Sequence, residues 1–224
     1  HVLLIARYLL KMRKVWLIKS SGDGNKIYEE CLQETGEFTV TSISALQFSF
    51  TNGPALLNSL ERPHDYAGII LTSPRAVEVV YQQYKNLKVD THAFWKTKKI
   101  FAIGEATTKS IQNDLQLQAI GSHTGNSQQL ANFIIKEIPA FDKPLLFPCS
   151  SLKKDDLPLL LASNDRDFRA LTCYETSCDP QLAQHIKKTI SETGVADIIV
   201  FFSPSGVDYT APILSSLGIE SGIL

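Results

Sequence analysis

The feature that most constrains this chain is a repeated change of hydrophobic period. Short apolar runs of four to seven residues alternate with stretches of ten to fifteen in which apolar side chains recur at helical spacing. The runs predict strands over 14–19, 38–44, 67–72, 99–103, 117–120, 144–148, 168–174 and 197–202. The longer stretches predict helices over 25–35, 54–60, 74–85, 105–115, 126–138, 152–162, 180–193 and 206–217. Strand followed by helix, over and over, is the pattern of an α/β fold with a mainly parallel sheet, because parallel neighbours need a long crossover between them. The strands 68–71 and 198–202 are apolar throughout, which suits strands covered on both faces. In the helix over 74–85, Val77, Val80, Tyr81 and Tyr84 fall at i, i+3, i+4 and i+7 and are expected to form one buried stripe. Leu130, Phe133, Ile134 and Ile138 are expected to do the same in the helix over 126–138.

An internal echo adds a second constraint. Leu71-Thr72-Ser73-Pro74-Arg75-Ala76-Val77 is matched by Phe202-Ser203-Pro204-Ser205-Gly206-Val207, with the two Ser-Pro pairs 130 residues apart. That interval is the size of a domain, so two similar doubly wound, flavodoxin- or Rossmann-like units are expected rather than a short-period solenoid. The β-branched segments 39–50 and 168–176 flank the central block and are expected to pair as a two-stranded connector. This reading assigns 12–46 plus 176–224 to a first, discontinuous domain and 47–172 to a second. A single flavodoxin-like or response-regulator-like domain also fits the alternation, but it does not fit the repeat. It also lacks an acidic cluster at the first strand end.

Charge and cysteine usage narrow the function. Lys plus Arg number 22 and Asp plus Glu 23, for a net charge of −1, which argues against a general nucleic-acid binder. It leaves room for one small anionic ligand. The four cysteines, at 31, 149, 173 and 178, form no C-x-x-C pair and the five histidines are scattered, so no metal site is expected. Free thiols in a chain long enough to fold without staples fit a reducing, cytoplasmic setting. The apolar run in residues 2–6 is too short to span a bilayer. Met12 is the sole methionine and directly precedes the first strand, so residues 1–11 are read as an upstream, non-native extension, against the alternative of a genuine amphipathic extension.

The chemistry is expected at strand ends, where open α/β sheets bind ligands. Ser73 and Ser203 each precede a proline and suit the N-cap position. Gly104, with Thr107 after it, follows another strand; Ser127 opens a further helix; Cys149-Ser150-Ser151 ends a fifth strand. Helix N-termini present unpaired N–H groups and the positive end of a dipole, so several of them could hold several carboxylates or phosphates without a basic composition. Arg75, Lys109, Lys153 and Lys154 add charge nearby. Taken alone, each Ser-Pro is an ordinary cap, and only the repetition favours a ligand site. There is no G-x-G-x-x-G, no G-x-x-x-x-G-K-[ST] and no G-x-S-x-G.

These residues, in order, resemble the uroporphyrinogen-III synthase family of the animal type. The stretches that carry the likeness are 14–19, 65–78, 103–107, 144–149 with Leu152-Lys153, Tyr174-Glu175-Thr176 and 201–206. The resemblance implies two α/β domains with the active site in the cleft between them. It implies conversion of hydroxymethylbilane to uroporphyrinogen III in haem biosynthesis, without metal or organic cofactor, by a cytoplasmic monomer with no nucleic-acid or membrane partner. The octacarboxylate substrate fits a site of many anion-binding helix starts. On this likeness Tyr174 is the catalytic residue, assisting loss of the substrate's hydroxyl. Thr72, Ser73, Arg75, Gly104, Thr107, Ser127, Lys153, Ser203 and Ser205 bind substrate. A non-catalytic two-domain carboxylate binder is the alternative. The spacing from Ser73 to Gly104 is 31 residues, so the second repeat should carry a Gly-x-x-Thr near position 234, beyond Leu224. The first domain is therefore expected to be C-terminally incomplete.

Overall fold

The computed structural model describes residues 12–20, 26–150 and 156–219. In chain order the elements are strand β1 (Arg13–Ser20), helix α1 (Ile27–Glu34), β2 (Phe38–Phe50), α2 (Gly53–Leu60), β3 (Gly68–Leu71), α3 (Pro74–Tyr84), α4 (Val89–Trp95), β4 (Lys99–Ala102), α5 (Gly104–Ser110) and β5 (Ala119–Ile120). They continue with α6 (Ser127–Glu137), β6 (Leu145–Ser150), α7 (Asp156–Ala162), β7 (Phe168–Cys178), α8 (Leu182–Thr193), β8 (Ile198–Phe201) and α9 (Pro204–Ser216). The chain divides into two compact units. One takes the described residues up to Phe48 and from Ser177 onward; the other is Ser49–Thr176. The proposed residues 1–11, together with Lys153 and Lys154, lie outside the described residues.

In the second unit the strands lie in the order β5-β4-β3-β6-β7. Every one of these neighbouring pairs is parallel. The chain winds from β3 outward to β5, then returns to the other side of β3 for β6 and β7. This reversal leaves a switch point between β3 and β6, flanked by the carboxyl ends of both strands. All four residues of β3 are buried, as its unbroken apolar run predicts. One face carries Ile70 and Phe101 under Leu130, Ala131 and Ile134 of α6, with Leu157 and Leu161 of α7 joining the same cluster. Gly68 is required by close approach: a Cβ there would sit 2.2 Å from the Lys99 carbonyl oxygen.

The first unit is smaller, with β2-β1-β8 as its sheet, again parallel. Trp16 and Ile18 of β1 pack with Ile43, Ala45, Leu182, Ile186 and Leu214. β2 and β7 run from one unit into the other. Within the first unit Asp179 donates its main-chain N–H to Ala45; within the second, Thr51 donates to Cys173 at 2.8 Å.

All eight strands lie where the hydrophobic period puts them, but three details differ. Tyr81 is 38% exposed rather than buried, and Val79 takes its place beside Val77, Val80 and Tyr84. The stripe is therefore shifted around the helix, and Lys85 lies over the exposed Tyr81 ring. β8, read as covered on both faces, is half-exposed along its length, because among the described residues it pairs only with β1. Helix α4 was not expected from the sequence. It has seven residues and no side-chain cap, and it is fixed by a tertiary contact, the Trp95 indole N–H donating to the Leu60 carbonyl at 2.8 Å.

Candidate functional site

At the carboxyl ends of the second unit's strands lies a cavity of about 330 Å³. Each of the five strands or its following turn supplies part of the wall. Thr72 follows β3, Ile103 follows β4, and Asn126 and Ser127 start the helix after β5. Cys149 and Ser150 end β6, and Tyr174 comes from β7. The described lining holds hydroxyls, a side-chain amide, a thiol and apolar groups, but no charged side chain. Such a lining can hold an anion through hydroxyls and main-chain N–H groups rather than through ion pairs.

Local sequence explains two of these wall segments. Ser73 has extended backbone, with Pro74 in the first helical turn after it, and its Oγ accepts the Ala76 N–H at 3.2 Å, capping α3. Asn126 does the same for α6, its Oδ1 accepting the Gln129 N–H at 2.9 Å. Both helices have eleven residues, so each brings a full dipole end and unpaired N–H groups towards the strand ends.

Tyr174 is held in this wall by the sheet itself. The β6–β7 register shifts by one residue between Cys149 and Ser150, so that Ser150 stands opposite Tyr174 and Cys173 is passed over. A bulge of this kind re-aims a side chain at the rim of a sheet. The Tyr174 ring is 7% exposed and its hydroxyl lies 2.9 Å from Ser73 Oγ. Either hydroxyl can donate in that pair. With Ser73 as donor, the phenol proton is left for a ligand. Burial pushes the Tyr174 phenol above its ordinary range, opposed by hydrogen bonds with Ser73 and Ser150 and reinforced by the Cys149 and Cys173 thiols. Burial also pushes the Cys173 thiol up to about 12. Around neutral pH the phenol and the Cys173 thiol therefore stay protonated, and Tyr174 is a hydrogen-bond donor, not a base.

The other expected site residues are placed as follows. Arg75, the second residue of α3, pairs with Glu78 at 2.7 Å. Gly104, with a φ of +74°, opens α5 next to the pocket residue Ile103. Thr107 is buried in α5 and is not part of the pocket lining. Ser203 belongs to the first unit, where its Oγ accepts the Gly206 N–H at 3.1 Å and caps α9, with Ser205 in the first turn. Among the described residues no cluster of His, Cys, Asp and Glu could hold a metal ion.

The family profile of uroporphyrinogen-III synthase HemD matches residues 26–221. The chain belongs to this family. It is 23% identical over 166 residues to the porphyrin biosynthesis protein HemD of Ruminiclostridium josui, covering 74% of this chain and 32% of that protein. The chain thus spans about a third of the curated relative's length. Its fold is shared with solved structures. A mutant uroporphyrinogen III synthase of Thermus thermophilus superposes with a TM-score of 0.59 at 15% identity, covering 90% of this chain and 76% of the other. The Helicobacter pylori uroporphyrinogen-III synthetase gives 0.53 at 16% identity, covering 94% and 91%.

Within this HemD-family chain, Asn126, Cys149 and Ser150 are pocket residues that the sequence did not single out as substrate contacts. Asn126 carried a signal, a capping residue three before Gln129 at the start of a periodic helix. Ser150 carried the signal of a strand end, Cys149-Ser150-Ser151, but its place opposite Tyr174 depends on the bulge against β7.

Proposed function

We propose that this chain cyclises hydroxymethylbilane to uroporphyrinogen III, releasing one water and inverting the last pyrrole ring. The observation that carries the reading is the donor-rich pocket at the switch point, whose described lining holds no charged side chain, with the protonated Tyr174 in its wall. Electron density from the pyrrole nitrogen of the hydroxymethyl-bearing ring expels the hydroxyl, which takes up a proton and leaves as water, and an azafulvene forms. The substituted α-carbon of the last ring attacks the azafulvene methylene to give a spiro intermediate. The bond from that carbon to the preceding methylene bridge then breaks, and the ring's free α-carbon captures that methylene and loses its proton, closing the macrocycle with the ring reversed. Tyr174 donates a hydrogen bond to the departing hydroxyl, a role a phenol can fill without ionising. The remaining work is orientation, which can supply roughly 7–11 kcal/mol.

In this proposal the substrate's carboxylates are held at helix starts. Thr72, Ser73 and Ser127 supply hydroxyls at the pocket, with Gly104 and Thr107 in the neighbouring helix. Arg75 adds charge in exchange for Glu78, and Lys153 reaches a carboxylate. Ser203 and Ser205 offer a further helix start in the first unit. No metal or organic cofactor takes part in the proposed reaction, and the working form is a monomer in the cytoplasm. The net charge of −1 fits a small anionic substrate better than nucleic acid. Among the described residues no helix is long and apolar enough to cross a membrane. The test is cyclisation of freshly generated hydroxymethylbilane followed by separation of the isomers. Isomer III is expected; formation of isomer I alone, at the spontaneous rate, overturns the proposal.

A further inference from the structure

A second cavity, of about 590 Å³, opens at the opposite end of the second unit's sheet, where β3, β4 and β6 begin. Its wall includes Lys98 and Lys99 at the start of β4, Lys143 in the turn before β6, and the carboxylates Glu137 and Asp142. Lys99 is neutralised, donating to the Glu137 carboxylate at 2.8 Å and to that residue's carbonyl. Asp142 accepts the Lys143 main-chain N–H at 2.7 Å. The other two ammonium groups rest on main-chain oxygens: Lys98 donates to the Tyr66 carbonyl at 2.5 Å and Lys143 to the His64 carbonyl at 2.7 Å.

A carbonyl orients an ammonium without cancelling its charge, and each ammonium has three N–H donors. Lys98 is further fixed over the Phe94 ring, 5.0 Å from its centroid, and Phe94 is braced by the His64 ring at 4.0 Å. Burial and the Lys143 charge both push the Lys98 amine below its ordinary range, with Asp142 opposing. Lys98 and Lys143 thus rest on carbonyls two residues apart at an open cavity whose wall also holds the Asp142 carboxylate; a main-chain N–H leaves that carboxylate's charge in place, so the three lysines exceed the two carboxylates by one charge. The same turn contains Phe141, which is 82% exposed and has a φ of +61°. For a bulky residue that backbone conformation is strained, and strain of this kind gathers at ligand sites.

We propose that this cavity binds a small multi-oxygen anion, carried by a phosphate or a polycarboxylate ligand, between Lys98 and Lys143. Its volume is within the range of small-molecule sites. β3 and β4 are four residues long, so about 13 Å of sheet separates it from the pocket around Tyr174. The site is therefore separate from that pocket, and a ligand there would act on it only through the sheet.

The experiment uses pyrophosphate and citrate as probes at constant ionic strength, with melting and calorimetry as readouts. At least one probe is expected to bind and raise the melting temperature, and the Lys98→Met/Lys143→Met double variant to abolish the effect. Binding of pyrophosphate alone supports a phosphate ligand, and binding of citrate alone a polycarboxylate. A second readout needs only the unsubstituted protein: acetylation of lysines, mapped by mass spectrometry. Lys98 and Lys143 are expected to label about tenfold more slowly at a probe concentration ten times Kd, as simple occupancy requires. Lack of binding by both probes at millimolar concentration overturns the proposal. So does binding that leaves Lys98 and Lys143 unprotected.

Discussion

Replacing Tyr174 with phenylalanine separates the chemical role of this side chain from its structural one. The ring is 7% exposed and keeps its packing; only the hydroxyl, 2.9 Å from Ser73 Oγ, is removed. The hydroxyl's hydrogen bonds with Ser73 and Ser150 contribute about 0.5–1.5 kcal/mol each to stability. Ser73 still accepts the Ala76 N–H, so the cap of α3 survives. The expected fall in melting temperature is therefore small, about 2–4 °C per kcal/mol for a chain of this size. The catalytic cost is larger. A positioned proton donor contributes roughly 10²–10⁴ in rate, so Tyr174→Phe should lower kcat for isomer III by about a hundredfold or more while the spontaneous isomer I accumulates. The assay is the coupled cyclisation with isomer separation, run beside thermal melting of the same preparations. Wild-type turnover in Tyr174→Phe would refute the donor role. A large loss of melting temperature with turnover kept per folded molecule would make Tyr174 a packing residue.

Four further outcomes follow from the geometry. Gly68→Ala should destabilise the protein by about 1–3 kcal/mol, the usual cost of overpacking, because the new Cβ meets the Lys99 carbonyl at 2.2 Å; denaturant melts measure it. Ser73→Ala and Ser203→Ala each remove an N-cap and should cost about 1 kcal/mol of stability, with substrate affinity falling only about 0.5–1.5 kcal/mol, read by titration. On the alkaline side, burial pushes both Cys173 and Tyr84 up to about 12 in the folded state. The folded state then holds protons that the unfolded chain has lost. Stability should be full below about pH 9 and fall as pH rises towards 12, and Cys173→Ala should flatten the first part of that fall in pH-dependent melts. On the acid side, the hydrogen bonds from Lys19 and Ser42 hold Glu29 below the ordinary carboxylate range. Its contribution is present above about pH 4.5 and lost as pH falls below it, and Glu29→Gln should remove that part of the acid limb.

The strands were legible because burial on both faces leaves an unmistakable signal. Ile69, Ile70 and Leu71 form an unbroken apolar run, and the six residues between Tyr66 and Ser73 are too few for a helix and suit a short buried strand. The caps were legible for a related reason. Ser73-Pro74 and Ser203-Pro204 state the end of an extended segment and the start of a helix in two residues, and both serine hydroxyls accept the N–H three residues on. Helix α4 was not legible, because seven residues without a cap have no propensity signal strong enough to stand alone; the Trp95 bond to Leu60, 35 residues away, is what fixes it.

The sequence by itself determined which residues stand at strand ends and that they are hydroxyls, since period and capping chemistry are local. It could not determine that Tyr174 meets Ser73, 101 residues earlier, nor which residues share the pocket. Those depend on the order in which strands lie side by side and on a one-residue register shift against Ser150. Neither is encoded within any single segment. Strand order follows from how crossovers wind, and the bulge from how two strands fit, so only the assembled sheet decides what the phenol touches.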